Sequence, residues 1–168
     1  MVNEKERVVI TGVGVVSPTG IGIDPFWDAI SHGRSGIGPV TRFDASKYKS
    51  RIGGELKNFD PHKFLNRKEV RRMDYFVQYA VVASIEAMDD AGIDMAKEDP
   101  YKAGVLVGSG IGGLGIIEKQ HEILLSKGPD RISPFLIPML IVNMASGQIS
   151  MRFGAKGPNS CVATACAS

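Results

Sequence analysis

Short β-rich runs separated by stretches of helical periodicity constrain this chain more than any other feature. Residues 7–11 (Arg-Val-Val-Ile-Thr) and 103–107 (Ala-Gly-Val-Leu-Val) read as buried strands, and residues 160–165 form a third run of small and β-branched residues. Continuous apolar character over so few positions leaves no polar face for solvent. Asp24-Pro25 supplies an N-cap and an N1 proline for a helix through Phe26, Trp27, Ala29 and Ile30, closed at His32-Gly33. Asn66-Arg67-Lys68-Glu69 has the capping-box pattern and opens the strongest helix. In it Met73, Phe76, Val77, Ala80, Val81, Ile85 and Met88 recur at helical spacing, up to a cap at Gly92. Helices are also expected over 114–125 and 140–151, and a hairpin around 52–59. Strands alternating with helices predict an α/β protein with a mostly parallel sheet.

Composition narrows the function classes. Hydrophobic residues make up 43% of the 168 and the net charge is +2, which excludes a disordered chain and supplies no global field toward nucleic acid or an anionic membrane. The N-terminus is charged, with no apolar core suited to a signal peptide. The longest apolar region, 132–149, is interrupted by Pro134, Pro138, Asn143, Ser146 and Gln148 and is too broken to span a bilayer. Cys161 and Cys166 are the only cysteines and show no metal-ligand spacing. Free thiols and a cytoplasmic, reducing location are expected, with neither metal nor cofactor. From Arg131 to Ser168 only three residues are charged, all cationic. Such a segment is expected to be buried, and the rest of the chain is too short to cover it.

Three local patterns bear on chemistry. Gly108-Ser109-Gly110-Ile111-Gly112-Gly113 satisfies G-x-G-x-x-G between a strand and a helix. A nucleotide loop would need an apolar strand ending in an acid near Asp130, and that acid instead follows Gly128-Pro129. The other reading is a loop whose glycines permit close chain packing and leave Ile111 as its one bulky side chain. Thr164-Ala165-Cys166-Ala167-Ser168 places a thiol among small residues just after a strand, where a tight turn would expose it. A helix starting there would favour the thiolate, and nearby backbone N–H groups would stabilise an oxyanion. Cys166 as a small buried hydrophobe remains the alternative, and for Cys161 that is the preferred reading. His32, His62 and His121 belong to no catalytic motif. Arg67, Lys68, Arg71 and Arg72 cluster around one acid, Glu69, either as a docking patch for an acidic partner or as a solvated helix face.

The runs V-V-I-T-G-V-G-V-V-S-P-T-G (8–20), G-S-G-I-G-G-L (108–114), I-V-N-M-A-S-G-Q (141–148) and G-P-N-S-C-V-A-T-A-C-A-S (157–168) resemble β-ketoacyl-acyl-carrier-protein synthases. All four occur in the family's order. The resemblance implies the thiolase-like fold, layered α/β/α/β/α in the complete enzyme, with residues 1–168 its N-terminal portion ending just after the nucleophile. It implies that Cys166 accepts an acyl chain and that malonyl-carrier protein loses CO2 to extend it. Ile111 would gate the acyl pocket, favouring the type II branch, and Leu136 and Ile137 would reach the pocket of a homodimer partner, although ordinary core packing suits them equally. Arg67, Lys68, Arg71 and Arg72 would contact acyl-carrier protein. Two histidines, a lysine and a gating phenylalanine of the family lie beyond this sequence, so these residues alone are expected to be inactive. A polyketide ketosynthase, a chain-length partner (which lacks the cysteine), a nucleotide-dependent oxidoreductase and a non-catalytic interaction module are the rival readings.

Overall fold

A computed structural model describes residues 7–168. The chain divides into two compact units, residues up to 59 with 83–93, and residues 60–82 with 94–168.

In the first unit, β1 (Val16–Ser17) and β2 (Gly20–Ile21) pair antiparallel. Helix α1 (Ile23–Ser31) follows. It begins one residue before Asp24, and its leading N–H, from Ile23, donates to Glu86 Oε1 at 2.7 Å. A carboxylate distant in sequence therefore replaces the expected Asp24 cap. Pro25 falls third in the helix, where no backbone donor is yet needed. Strand β3 (Ile37–Pro39) pairs antiparallel with β4 (Ile52–Gly54). The hairpin expected over 52–59 is thus replaced by pairing with an upstream segment. Glu55 turns instead to the other side of the connection, accepting from Thr41 Oγ1 at 2.6 Å and from the N–H groups of Thr41 and Arg42. That bonding holds its carboxyl below the ordinary glutamate value, the Thr41 hydroxyl contributing most.

Residues 7–11 do not form the expected strand. A strand exists only through a ladder partner, and among the described residues none pairs with this run, so Val8, Val9 and Ile10 are exposed. Just after it, the Val13 and Val15 N–H groups donate to Asp90 and Glu86 at 2.9 and 2.8 Å.

The second unit contains the parallel pair β5 (Val105–Gly108) and β6 (Asn159–Val162), with Val105 opposite Asn159 and Gly108 opposite Val162. Side chains of β5 alternate between half-buried and exposed, so it is covered on one face only; Leu106 points outward. Helix α6 (Met144–Phe153) packs on both strands. The buried side chains of this unit include Leu65, Met73, Val77, Val81, Val82, Ile116, Ala145 and Ile149.

One predicted helix is broken in two and another starts late. The Asn66 capping box forms as expected, with Asn66 Oδ1 accepting from Lys68 and Glu69 N–H and Glu69 Oε2 accepting from Asn66 N–H. Helix α2 (Arg67–Val70) then ends, and α3 (Tyr75–Ala91) starts after buried Met73. The buried amide of Gln78 donates to Met73 O at 2.9 Å and so satisfies a carbonyl that the break releases. Gly92 ends α3 as predicted, with Ile93 N–H bonded to Met88 O and Gly92 N–H to Asp89 O. The helix expected over 140–151 begins only at Met144, as α6, and a separate short helix, α5 (Leu136–Leu140), precedes it. Leu140 O accepts from Gly113 N–H at 3.0 Å and is lost to a continuous helix. Between these segments, α4 (Leu114–Lys127) packs against α5.

Candidate active site

The thiol is carried by the end of β6. That strand stops at Val162, short of the expected Ala165, and the chain turns through a single 3-10 turn, Ala165–Ala167. Ala165 has φ 53°, one of two non-glycine residues with positive φ among those described. An L-residue in this region costs about 1–2 kcal/mol. The reversal it permits leaves Cys166 exposed and free of any disulfide. Half-buried Cys161 lies inside β6, with Sγ 3.5 Å from the Val162 carbonyl. Thr164 N–H donates to Ser168 Oγ at 2.7 Å, and the Ala167 and Ser168 N–H groups donate to the Thr164 and Ala165 carbonyls. Those two amides are bonded within the turn.

The glycine-rich loop packs directly on this turn. A Cβ at Gly108 would lie 2.7 Å from the Ser168 carbonyl carbon, and one at Gly110 would lie 3.2 Å from Ala165 O. Gly112 has φ 80°, and a side chain there would collide with Leu140 O. The glycines thus serve close approach to the chain's own backbone at 140, 165 and 168, which accounts for the motif without a pyrophosphate. Ile111 is the side chain the loop leaves out, 67% exposed, between a glycine on the Cys166 turn and one on α5. In α5, Leu136 is half-buried and Ile137 exposed. One series of contacts therefore joins the Cys166 turn, the Ile111 loop and the helix bearing Leu136 and Ile137.

Behind the strand, the wholly buried Ser146 hydroxyl of α6 lies 2.9 Å from Asn159 Oδ1, and Asn159 Nδ2 donates to Ser150 Oγ at 2.7 Å. These bonds fix the start of β6 against α6. The sequence marks the 141–148 stretch but not this role.

The basic residues gather elsewhere. Lys68, Arg71 and Arg72 line a groove of about 390 Å³ with Ser133, Pro134 and Phe135, whereas Arg67 is exposed outside that lining. The Arg72 guanidinium sits 4.9 Å from the Phe135 ring centroid, a cation–π distance. Buried Gln120 accepts from Ser133 N–H at 2.7 Å and anchors the opposite wall. Phe135 escaped the sequence reading because an aromatic in a charge-poor run resembles any core residue. The histidines stand apart: His32 contacts Asp28, His62 is exposed in the 3-10 turn Pro61–Lys63, and His121 is exposed on α4.

No helix among the described residues is long and apolar enough to cross a membrane. Residues 5–168 match the family model for the β-ketoacyl synthase N-terminal domain. The chain is 53% identical, over 98% of its length, to the 3-oxoacyl-[acyl-carrier-protein] synthase 2 of Synechocystis sp. and 47% identical, over 98%, to that of Staphylococcus aureus strain COL. It spans 39% and 40% of those two relatives. Among solved structures, the ishigamide ketosynthase/chain length factor superposes with TM-score 0.83 at 29% identity, over 93% of this chain and 39% of that one. A β-ketoacyl synthase from Burkholderia phymatum gives 0.72 at 25%, over 94% and 38%. The α/β architecture is that of the ketosynthases, and the chain belongs to the β-ketoacyl synthase N-terminal domain family.

Proposed function

We propose that these residues form the acyl-accepting portion of a 3-oxoacyl-carrier-protein synthase of fatty acid elongation, in which Cys166 is the nucleophile. The carrying observation is the exposed Cys166 thiol on the turn shaped by Ala165 and backed by the glycine loop. In the proposed cycle the Cys166 thiolate attacks the carbonyl carbon of an acyl-carrier thioester. The carrier sulfur leaves and takes up the proton, giving acyl-Cys166. Malonyl-carrier protein then loses CO2, and the electron pair left on its α-carbon attacks the acyl carbonyl. A carbon–carbon bond forms as the bond to Cys166 sulfur breaks, and a 3-oxoacyl-carrier two carbons longer departs.

Ile111, exposed beside the turn, gates the acyl chain. Leu136 and Ile137 line the acyl site across a homodimer. Arg67, Lys68, Arg71 and Arg72 attract the acidic carrier protein, for which a positive groove raises the encounter rate. The histidine and lysine partners of the decarboxylation come from outside these residues. A cytoplasmic location accords with two free thiols. The likeness to the 3-oxoacyl-[acyl-carrier-protein] synthases 2 of Synechocystis and Staphylococcus aureus favours this reading over a polyketide ketosynthase or an interaction module.

The test is condensation by the full-length protein supplied with acyl- and malonyl-carrier protein, followed by mass of the carrier-bound product. A 3-oxoacyl product two carbons longer, absent with Cys166→Ala, is expected. No elongated product, or undiminished elongation by Cys166→Ala, overturns the proposal.

A further inference from the structure

We infer that the Glu69–Arg152 pair sets the orientation of α2, making Arg152 a positioning residue for docking of the acidic carrier. The inference rests on the docking role proposed for Lys68, Arg71 and Arg72.

Helix α2 is four residues long. A single turn has no cooperative stability of its own, because nucleation is unfavourable and propagation never follows. Its two ends are pinned by buried Leu65 and Met73, and the carbonyl of its last residue, Val70, accepts from Gln78 Nε2 at 3.4 Å, a long bond that restrains its rotation only weakly. Rotation decides whether the three cations face the groove at Phe135. Arg152, near the end of α6, adds the shorter, charge-assisted constraint. Its Nη1 donates to Glu69 Oε1 at 2.8 Å, and its Nη2 donates to Phe64 O at 3.3 Å. One guanidinium thus grips both the turn and the chain entering it. Glu69 uses both oxygens, since Oε2 holds the Asn66 N–H of the capping box at 2.8 Å.

The far partner is rigid, because α6 is anchored by buried Ala145, Ser146 and Ile149. Glu69 and Arg152 share a small cleft of about 190 Å³ with Met73, Val81, Gln148 and Met151, separate from the groove lined by Lys68, Arg71 and Arg72. The pair is partly exposed, 29% for each side chain, so its contribution to overall stability is small. Its consequence is directional.

Charge alone and orientation predict opposite results for one variant. Glu69→Ala removes the single acid among the cations, so a purely electrostatic patch would then bind an acidic carrier more tightly. Loss of orientation would weaken binding. The experiment compares steady-state acyl transfer to the full-length protein from acyl-carrier protein and from the same acyl group on pantetheine, which has no docking surface. Glu69→Ala and Arg152→Ala should each raise KM for the carrier substrate by about threefold or more relative to the pantetheine substrate, with Arg152→Lys recovering part of the loss.

A lower carrier KM for Glu69→Ala overturns the inference, as does a parallel change in both substrates for Arg152→Ala. The triple variant Lys68→Ala/Arg71→Ala/Arg72→Ala separates the two levels. If it leaves carrier KM unchanged, the docking reading itself fails. If it raises carrier KM while Arg152→Ala does not, only the positioning role fails.

Discussion

Ala165 is where backbone conformation and chemistry meet, since its φ of 53° turns the chain out of β6 and brings Cys166 to the surface. A β-branched side chain there would add crowding to an already costly conformation, so Ala165→Val should destabilise by about 1–3 kcal/mol. Ala165→Gly should be tolerated, because glycine adopts this region freely. Chemical denaturation of the two variants measures the contrast, and equal midpoints would contradict it. Small residues around Cys166 were legible as room for a tight turn, but nothing in the letters marks an alanine as left-handed. The run of small and β-branched residues therefore extends to Ala165, three residues past the end of β6 at Val162.

Glu55 offers a residue-scale test in pH. Its bonds to Thr41 and Arg42 favour the ionised form in the folded state and lower its pKa. The stabilisation is complete above the unfolded-state value and is lost as pH falls through the lower folded value. The Glu55 carboxyl carbon should titrate below a glutamate in an unfolded peptide, and Thr41→Val should move its midpoint upward. A midpoint unmoved by Thr41→Val would remove the hydroxyl as the main cause.

Among the elements, the glycine loop is the one most constrained by its neighbours. Gly112→Ala would combine a positive φ with a collision at Leu140 O, and a loss of at least about 2 kcal/mol is expected. Thermal unfolding should show it, whereas Gly115→Ala, within α4 and with open space around the new Cβ, should be neutral or stabilising. The capping box at Asn66 and the cap at Gly92 were readable because both depend on local pattern. The break after α2 and the late start of α6 were not, because both go with tertiary bonds. One is a buried amide at Gln78 that serves Met73, and the other is a loop amide at Gly113 that takes Leu140 O. Periodicity records which face is buried, and it does not record which carbonyl a distant donor will claim.

For the molecule as a whole, apolar side chains remain uncovered along β5 and α5, including Leu106, Ile137 and Ile141. The charge-poor tail anticipated surface in need of cover. The chain's 39% span of the Synechocystis relative shows that much of the family's usual length lies outside these residues. If Ile137 meets a second subunit, Ile137→Asp in the full-length protein should shift sedimentation from dimer toward monomer, because a buried unpaired carboxylate is costly. An unchanged dimer would place α5 away from the interface.

The account depends most on which sulfur receives the acyl group. Fragment-ion mass spectrometry of the full-length protein after incubation with acyl-carrier protein reads this directly. The acyl mass is predicted on Cys166, lost in Cys166→Ala and retained in Cys161→Ala. An adduct that persists in Cys166→Ala would contradict the account.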